Sequence, residues 1–172
     1  MDSEEINCLL KSNTQVKKKY SKRIYCYDTL PKMQKGKFYI VNTLSAKSSF
    51  KIAGHWCIFL YYKNNVLIFI DPFGLFPKNH FIAPMLRSGN RSTSYFYNNV
   101  QLQNYSTTTC AQHVIALATL FSYNFDIKSI FLKFYQIRSD KAVDSTSLKY
   151  DHIVNEFLTR FYGEKRSIFY NF

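Results

Sequence analysis

The segment Cys110–Tyr123 carries Ala111, Val114, Ile115, Leu117, Ala118, Leu120 and Phe121, and is apolar nearly all the way round a helical wheel. A surface helix needs one apolar stripe; a helix apolar on every side has to be enclosed by the rest of its chain. A bilayer span takes about 20 apolar residues, more than this segment offers, so the enclosure must be protein. Three strand-like segments are available to build it: Phe38–Asn42, His55–Tyr61 and Val66–Ile70, all rich in aromatic and β-branched residues. The last two flank a polar Lys63-Asn64-Asn65 turn, and Val100–Gln103 reads as a short further strand. Helices are predicted over 3–11, with Ser3 as cap and Ile6, Leu9 and Leu10 on one face, and over 150–162, with Ile153, Val154, Phe157, Leu158 and Phe161 at helical spacing. The expected fold is α+β: a central, mostly antiparallel sheet packed against a buried helix that begins at Cys110, with further helices around it.

No repeat, low-complexity tract or Pro/Gly-rich linker divides the chain, so one domain is expected over residues 1–172. With 47% hydrophobic residues that domain can bury a core, which excludes general disorder. The start, Met1-Asp2-Ser3-Glu4-Glu5, is acidic and precedes no long apolar run, so neither a secretory signal nor a membrane anchor is expected. Cys8, Cys26, Cys57 and Cys110 form no C-x-x-C pair, which removes the usual zinc and dithiol signatures. A soluble protein of a reducing compartment, without metal or organic cofactor, is the expectation.

The formal charge is +12, and basic residues crowd the first third of the chain. Lys17, Lys18, Lys19, Lys22 and Arg23 are the candidate contacts to a polyanion such as DNA, bound through phosphates without sequence readout. A solvated basic face accounts for the same charge equally well.

Four residues in chain order carry the chemistry: His55, Asp71, Gln103 and Cys110. They are a base, its orienting acid, an oxyanion donor and a nucleophile, the parts a cysteine protease needs. A thiol in the first turn of a helix meets unsatisfied amides and the positive dipole end, which favour its thiolate. Thr107, Thr108 and Thr109 supply hydroxyls to cap that helix, and Gln103 ends a strand before a polar loop. A hairpin turn centred on Lys63 sets His55 opposite Asp71, with Cβ atoms about 4.5–5.5 Å apart. His80, His113 and His152 show no comparable partners in the sequence and read as structural. Each of the four also has an ordinary reading, since Asp71 before Pro72-Phe73-Gly74 is good turn chemistry by itself.

In that order and spacing the segments Tyr39-Ile40-Val41-Asn42-Thr43, Gly54-His55-Trp56, Asp71-Pro72-Phe73-Gly74 and Gln103 to Cys110 resemble those of the adenovirus protease (adenain) family. That family shares a clan with the ubiquitin-like-protein proteases. The resemblance runs from about Tyr27 to Phe121. It implies nucleophile, base, orienting acid and oxyanion amide at Cys110, His55, Asp71 and Gln103. It also implies a viral maturation protease that cleaves capsid and core precursors after glycine in a cleft narrowed by Trp56, acting in the virion and in the host nucleus or a cytoplasmic viral factory. DNA and a viral peptide as activators, and a monomeric enzyme, belong to the same implication. Three positions depart from the pattern: Asp71 stands where mammalian adenovirus enzymes have Glu, Ala111 follows the nucleophile where glycine is usual, and Arg91–Tyr95 lacks the cysteine that takes up the activating peptide. Two alternatives stay open. One is a deubiquitinase or ubiquitin-like isopeptidase, whose substrates also end in Gly-Gly; the other is an inactive homologue acting as a nucleic-acid-binding virion protein.

Overall fold

The computed structural model describes residues 1–49, 54–126 and 143–162. In chain order the elements are α1 (Ser3–Ser12), α2 (Thr14–Lys19), β1 (Tyr25–Cys26), β2 (Lys37–Asn42), α3 (Ala46–Ser49), β3 (Trp56–Tyr61), β4 (Val66–Ile70), α4 (Asn79–Ser88), β5 (Ser94–Tyr97), α5 (Cys110–Ser122) and α6 (Val143–Tyr162). The strands form one sheet in the order β1-β2-β3-β4-β5. Only the two central pairings are antiparallel; β1 runs parallel to β2 and β5 parallel to β4. The sheet is therefore mixed rather than mostly antiparallel. A parallel neighbour needs a crossover, and α4 provides it between β4 and β5.

The two faces of the sheet carry separate cores. Phe38, Ile40, Trp56, Ile58, Leu60, Ile68 and Ile70 pack with α1, α2, α5 and α6. On the other face Tyr39, Val41, Cys57, Phe59, Tyr61, Leu67 and Phe69 pack with Phe81 and Met85 of α4. Strands buried on both faces read as continuous apolar runs, which explains Trp56–Tyr61, where every residue is buried. The helix expected from Cys110 is α5, and all but Leu120 of its residues are buried.

The β3–β4 hairpin sets the register on which the site depends. Tyr62 N–H donates to the Val66 carbonyl at 2.8 Å, and Asn65 adopts φ 67. Lys63-Asn64-Asn65 is thus a three-residue loop closed by a left-handed residue, a conformation asparagine tolerates. Tyr61 consequently faces Leu67 and Ile58 faces Ile70. Continued past the ladder, this register sets Cys57 opposite Asp71 and His55 opposite Phe73. The expected His55/Asp71 pairing is displaced by two residues, so the same side chains stay on one face and His55 reaches Asp71 diagonally.

Other expectations shift locally. Val100–Gln103 is not a strand: the N–H groups of Leu102 and Gln103 both donate to the Pro72 carbonyl at 2.8 Å, tying this segment to the Asp71 turn. The fifth strand lies earlier, at Ser94–Tyr97. Asp2, not Ser3, caps α1: its carboxylate accepts from Glu4 and Glu5 N–H while the Glu5 carboxylate accepts from Asp2 N–H at 2.8 Å. Among the described residues no helix is long and apolar enough to cross a membrane.

Candidate active site

β3 and β4 are antiparallel while β5 is parallel to β4, so the start of β3 and the ends of β4 and β5 meet at one end of the sheet. The site is built there. Asp71 follows β4 directly, and Asn98 follows β5. Asn98 Oδ1 accepts from Asp71 N–H at 2.8 Å and its Nδ2 donates to the Asp71 carbonyl at 2.7 Å, a two-bond clamp on the backbone of the acid. The turn after Asp71 closes with Gly74 N–H donating to the Asp71 carbonyl at 2.8 Å. Gly74 has φ +71, and a Cβ there would lie 2.7 Å from the Val100 carbonyl carbon. Only glycine satisfies both constraints.

His55 stands immediately before β3. Thr43 N–H donates to its carbonyl at 2.9 Å, and its own N–H donates to Thr43 Oγ1 at 3.3 Å. Gly54 allows this approach, since a Cβ on it would sit 1.9 Å from Asn42 Oδ1. The imidazole Nε2 lies 2.7 Å from Asp71 Oδ1, which also accepts from Phe73 N–H at 2.8 Å. With Nε2 taken by the carboxylate, Nδ1 is the nitrogen left for a thiol. Burial pulls the His55 pKa down, but hydrogen bonds to Asp71 and Cys110, together with their charges, push it up further, to about 9. An imidazole in this position stays protonated at neutral pH and faces a sulfur.

That sulfur belongs to Cys110, the first residue of α5, which packs against the α5-side core. The nucleophile candidate thus comes from the helix layer and the base and acid from the end of the sheet. Thr109 is the N-cap of α5 but makes no side-chain cap bond, contrary to the capping expected of Thr107–Thr109. The hydroxyls are committed elsewhere: Thr107 Oγ1 donates to Asp151 Oδ2 at 2.9 Å and Thr109 Oγ1 to Asp151 Oδ1 at 2.5 Å. His113 Nε2 lies 2.8 Å from the same Asp151 Oδ1. Burial alone would raise the Asp151 pKa, and the bonds from His113, Thr109 and Thr107 outweigh it, leaving the carboxyl below its usual range. One carboxylate on α6 therefore fixes the turn that presents Cys110. His113, structural by its sequence, has an acidic partner that only the fold brings near.

Gln103 is 1% exposed, and its Nε2 donates to the Thr107 carbonyl at 2.7 Å. A carbonyl only accepts, so this bond fixes which end of the carboxamide is nitrogen. The amide carries a second N–H bond beyond the one Thr107 takes. Its Oε1 is buried without a hydrogen-bond partner among the described residues.

Three residues around the site were not singled out by the sequence. Phe73 stacks on the His55 ring, with centroids 4.4 Å apart, and Tyr105 stacks on Phe73 at 5.2 Å. Trp56, expected beside the base, faces the α5-side core, because consecutive strand residues point to opposite faces. Phe73 is the aromatic that covers the base. Cys57 is fully buried opposite Asp71; burial first, then its interaction with Asp71 and the Cys110 charge, push its thiol well up. Among the described residues His55, Cys57 and Asp71 are the one grouping with metal-ligand spacing, their ligand atoms all within 4.8 Å.

The basic residues are placed elsewhere. Lys17, Lys18, Lys22 and Arg23 are exposed, and the Arg23 guanidinium lies 5.0 Å from the Tyr25 ring. Lys19 is held inward: its Nζ donates to the Phe121 carbonyl at 3.1 Å and to Asn124 Oδ1 at 2.5 Å. These acceptors lie at the C-terminal end of α5, roughly 17 Å along the helix from Cys110 at 1.5 Å rise per residue.

No protein-family model matches the chain, and no curated protein matches it in sequence. Among solved structures it is similar to the ASFV pS273R protease, with a TM-score of 0.55 and 13% sequence identity. That likeness covers 88% of this chain and 66% of the other, so the chain spans less than two thirds of its neighbour's length. The α+β fold of a cysteine protease of the ubiquitin-like-protease and adenain type is the fold of this chain.

Proposed function

We propose that the chain is a cysteine endopeptidase. The observation that carries this reading is the His55 imidazole, bonded to Asp71 at 2.7 Å and raised in pKa by its interaction with Cys110, in a site assembled from two layers of the fold. Cys110 as thiolate attacks the carbonyl carbon of the scissile bond, and the negative charge that develops on the oxygen meets the free N–H of Gln103 and the Cys110 backbone amide. The His55 imidazolium gives its proton to the departing amine, leaving a thioester. Neutral His55 then takes a proton from water as that water attacks the thioester; the C–S bond breaks, the acid is released and the thiolate–imidazolium pair is restored. Asp71 keeps the ring oriented throughout and stabilises its charged form. Cys57 and Asn98 hold Asp71 in turn.

The substrates in this reading are virion precursor proteins cut after glycine in small-residue motifs, within the virion and in the host nucleus or a cytoplasmic viral factory. The exposed Lys17, Lys18, Lys22 and Arg23 support a second element of the proposal, DNA held through phosphates at a distance from Cys110. The decisive experiment incubates the purified chain with a peptide library, with and without duplex DNA, beside Cys110→Ala. Cleavage by the wild type alone, with iodoacetamide labelling Cys110 before Cys8, Cys26 and Cys57, is the expected result. Equal turnover by the variant removes the reading. Selection of Gly-Gly-terminated ubiquitin-like substrates over capsid-type motifs turns it to the isopeptidase alternative.

A further inference from the structure

A cavity of about 350 Å³ opens beside His55 on the sheet face that carries α4. Its walls are apolar: Leu44, Phe69, Phe73, Leu75, Phe76 and Phe81. Leu75 and Phe76 are 49% and 63% exposed, a hydration cost that nothing in the described fold relieves. Besides Thr43, His55 and Asp71, two polar groups stand on the lining, Lys78 and His80. The His80 ring lies between Tyr27 at 4.4 Å and Phe81 at 4.3 Å, and its Nε2 is buried with no hydrogen-bond partner among the described residues. Burial first, then the Lys78 charge, lower its pKa, so the ring is neutral at pH 7. Apolar walls with a few convergent polar groups are what a ligand subsite consists of, and this volume sits near the small end of the ~300–1,000 Å³ such sites occupy.

The lining also tells which part of a substrate enters. It includes His55 and Asp71 but neither Cys110, Gln103 nor any residue of α5. The acyl half of a peptide must lie against the nucleophile and the oxyanion donors. The leaving half must lie against the group that protonates its amine, within hydrogen-bond reach of His55. A cavity that shares the base and excludes the nucleophile receives the leaving half.

We propose that this cavity is the leaving-side subsite of the peptidase: it takes one large apolar side chain, Phe-like in size, within the first two residues after the cleaved bond, with a neighbouring acidic residue meeting Lys78. The inference rests on the peptidase reading and deepens it by naming substrate chemistry on the side of the bond that small-residue motifs leave unspecified. Removing an aromatic side chain from water in such a cavity corresponds to on the order of 10–100-fold in kcat/KM over a serine at the same position.

The test uses internally quenched peptides built on the acyl side selected by the library, differing only after the cut: Phe-Glu, Phe-Lys and Ser-Glu, in both orders. Wild type should prefer Phe-Glu to Ser-Glu by on the order of 10–100-fold. The folded Leu75→Ser/Phe76→Ser double variant should bring that ratio within about threefold, and Lys78→Glu should invert the preference between Phe-Glu and Phe-Lys. A wild-type Phe/Ser ratio near one, or a ratio untouched by the double variant, overturns the proposal. A free-amine Phe-Glu product peptide titrated calorimetrically into Cys110→Ala gives a readout that needs no turnover. If no peptide is cleaved, the peptidase reading fails, while saturable binding lost in Leu75→Ser/Phe76→Ser still assigns the cavity to a peptide and absence of binding overturns it.

Discussion

Replacing Asp151 with alanine should loosen the turn that presents Cys110, at a cost that can be worked from its partners. The carboxylate, 6% exposed, accepts from Thr107, Thr109 and His113. Thr107 Oγ1 keeps other partners, the Asn104 carbonyl and Thr109 Oγ1, each at 3.0 Å. His113 is 1% exposed and loses the acceptor of its Nε2; an orphaned buried donor costs about 1–3 kcal/mol. The bond from Thr109 to an ionised acceptor is worth about 1.5–3 kcal/mol. Together they give about 2.5–6 kcal/mol, centred on the roughly 3–5 kcal/mol for breaking a buried pair. For a domain of this size that lowers Tm by roughly 6–20 °C. Asp151→Asn keeps an oxygen for Thr109 and His113 and offers an NH₂ to Thr107 Oγ1, so about 1–2 kcal/mol is expected. Because the Asp151 pKa is lowered in the fold, its contribution is fully present above the unfolded value near 3.9 and is lost as pH falls through the folded one. The gap between wild type and Asp151→Asn should therefore close on acidification below about pH 4. Urea unfolding followed by Trp56 fluorescence measures all three proteins. Since the Thr107 carbonyl also holds Gln103, Asp151→Ala should lower kcat roughly 10–100-fold with little change in KM, and Asp151→Asn should recover most of it. An Asp151→Ala protein within about 0.5 kcal/mol of wild type, the scatter of ordinary surface substitutions, refutes the reasoning.

Three further outcomes are expected. In Asp71→Asn the bond and charge that raise the His55 pKa weaken, so the alkaline limb of the pH–rate profile, near pH 9 in wild type, should move down; NMR titration of the His55 ring checks the direction, and an unmoved limb contradicts the assignment. In wild type the same elevated pKa stabilises the fold fully below the unfolded value near 6.5, and that contribution is lost as pH rises through about 9. Gln103→Ala should cost about 10²–10³ in kcat, and activity within twofold of wild type would leave Gln103 a packing residue. Gly74→Ala meets both a positive φ and the Val100 backbone at 2.7 Å, so it should destabilise by at least about 1–3 kcal/mol and disturb the Asp71 turn, read as a loss in Tm together with a loss in kcat.

Which parts of this were legible in the sequence follows from how local their causes are. His55, Asp71 and Cys110 were readable because each sits at a boundary with its own signal: a glycine before a strand, an Asp-Pro-Phe-Gly turn, a threonine run before an apolar helix. The structure brings those three together. The register was one loop geometry away, since nothing in Lys63-Asn64-Asn65 says which asparagine takes the left-handed position. β5 was missed because Ser94–Tyr97, exposed along its whole length, has no in–out alternation to read. Asp151, Cys57 and Phe73 owe their roles to partners far along the chain or across a hairpin, and a pattern search has no term for a carboxylate that becomes a clamp 44 residues after the hydroxyl it receives. Trp56 follows His55 and so turns to the other side of the strand, into the core that also holds Cys110.

The division of the site between a helix and the end of a sheet also has a consequence in time. The thiol and the imidazole come from segments far apart in the chain, and contacts of that separation form late, after loop closure has been paid. A growing or collapsed chain carries Cys110 and His55 on layers not yet docked, where the sulfur is an ordinary thiol. On the proposed peptidase reading, the pairing of sulfur and imidazole arises only with the docked core, so a newborn molecule would be harmless to itself and its neighbours until it is native.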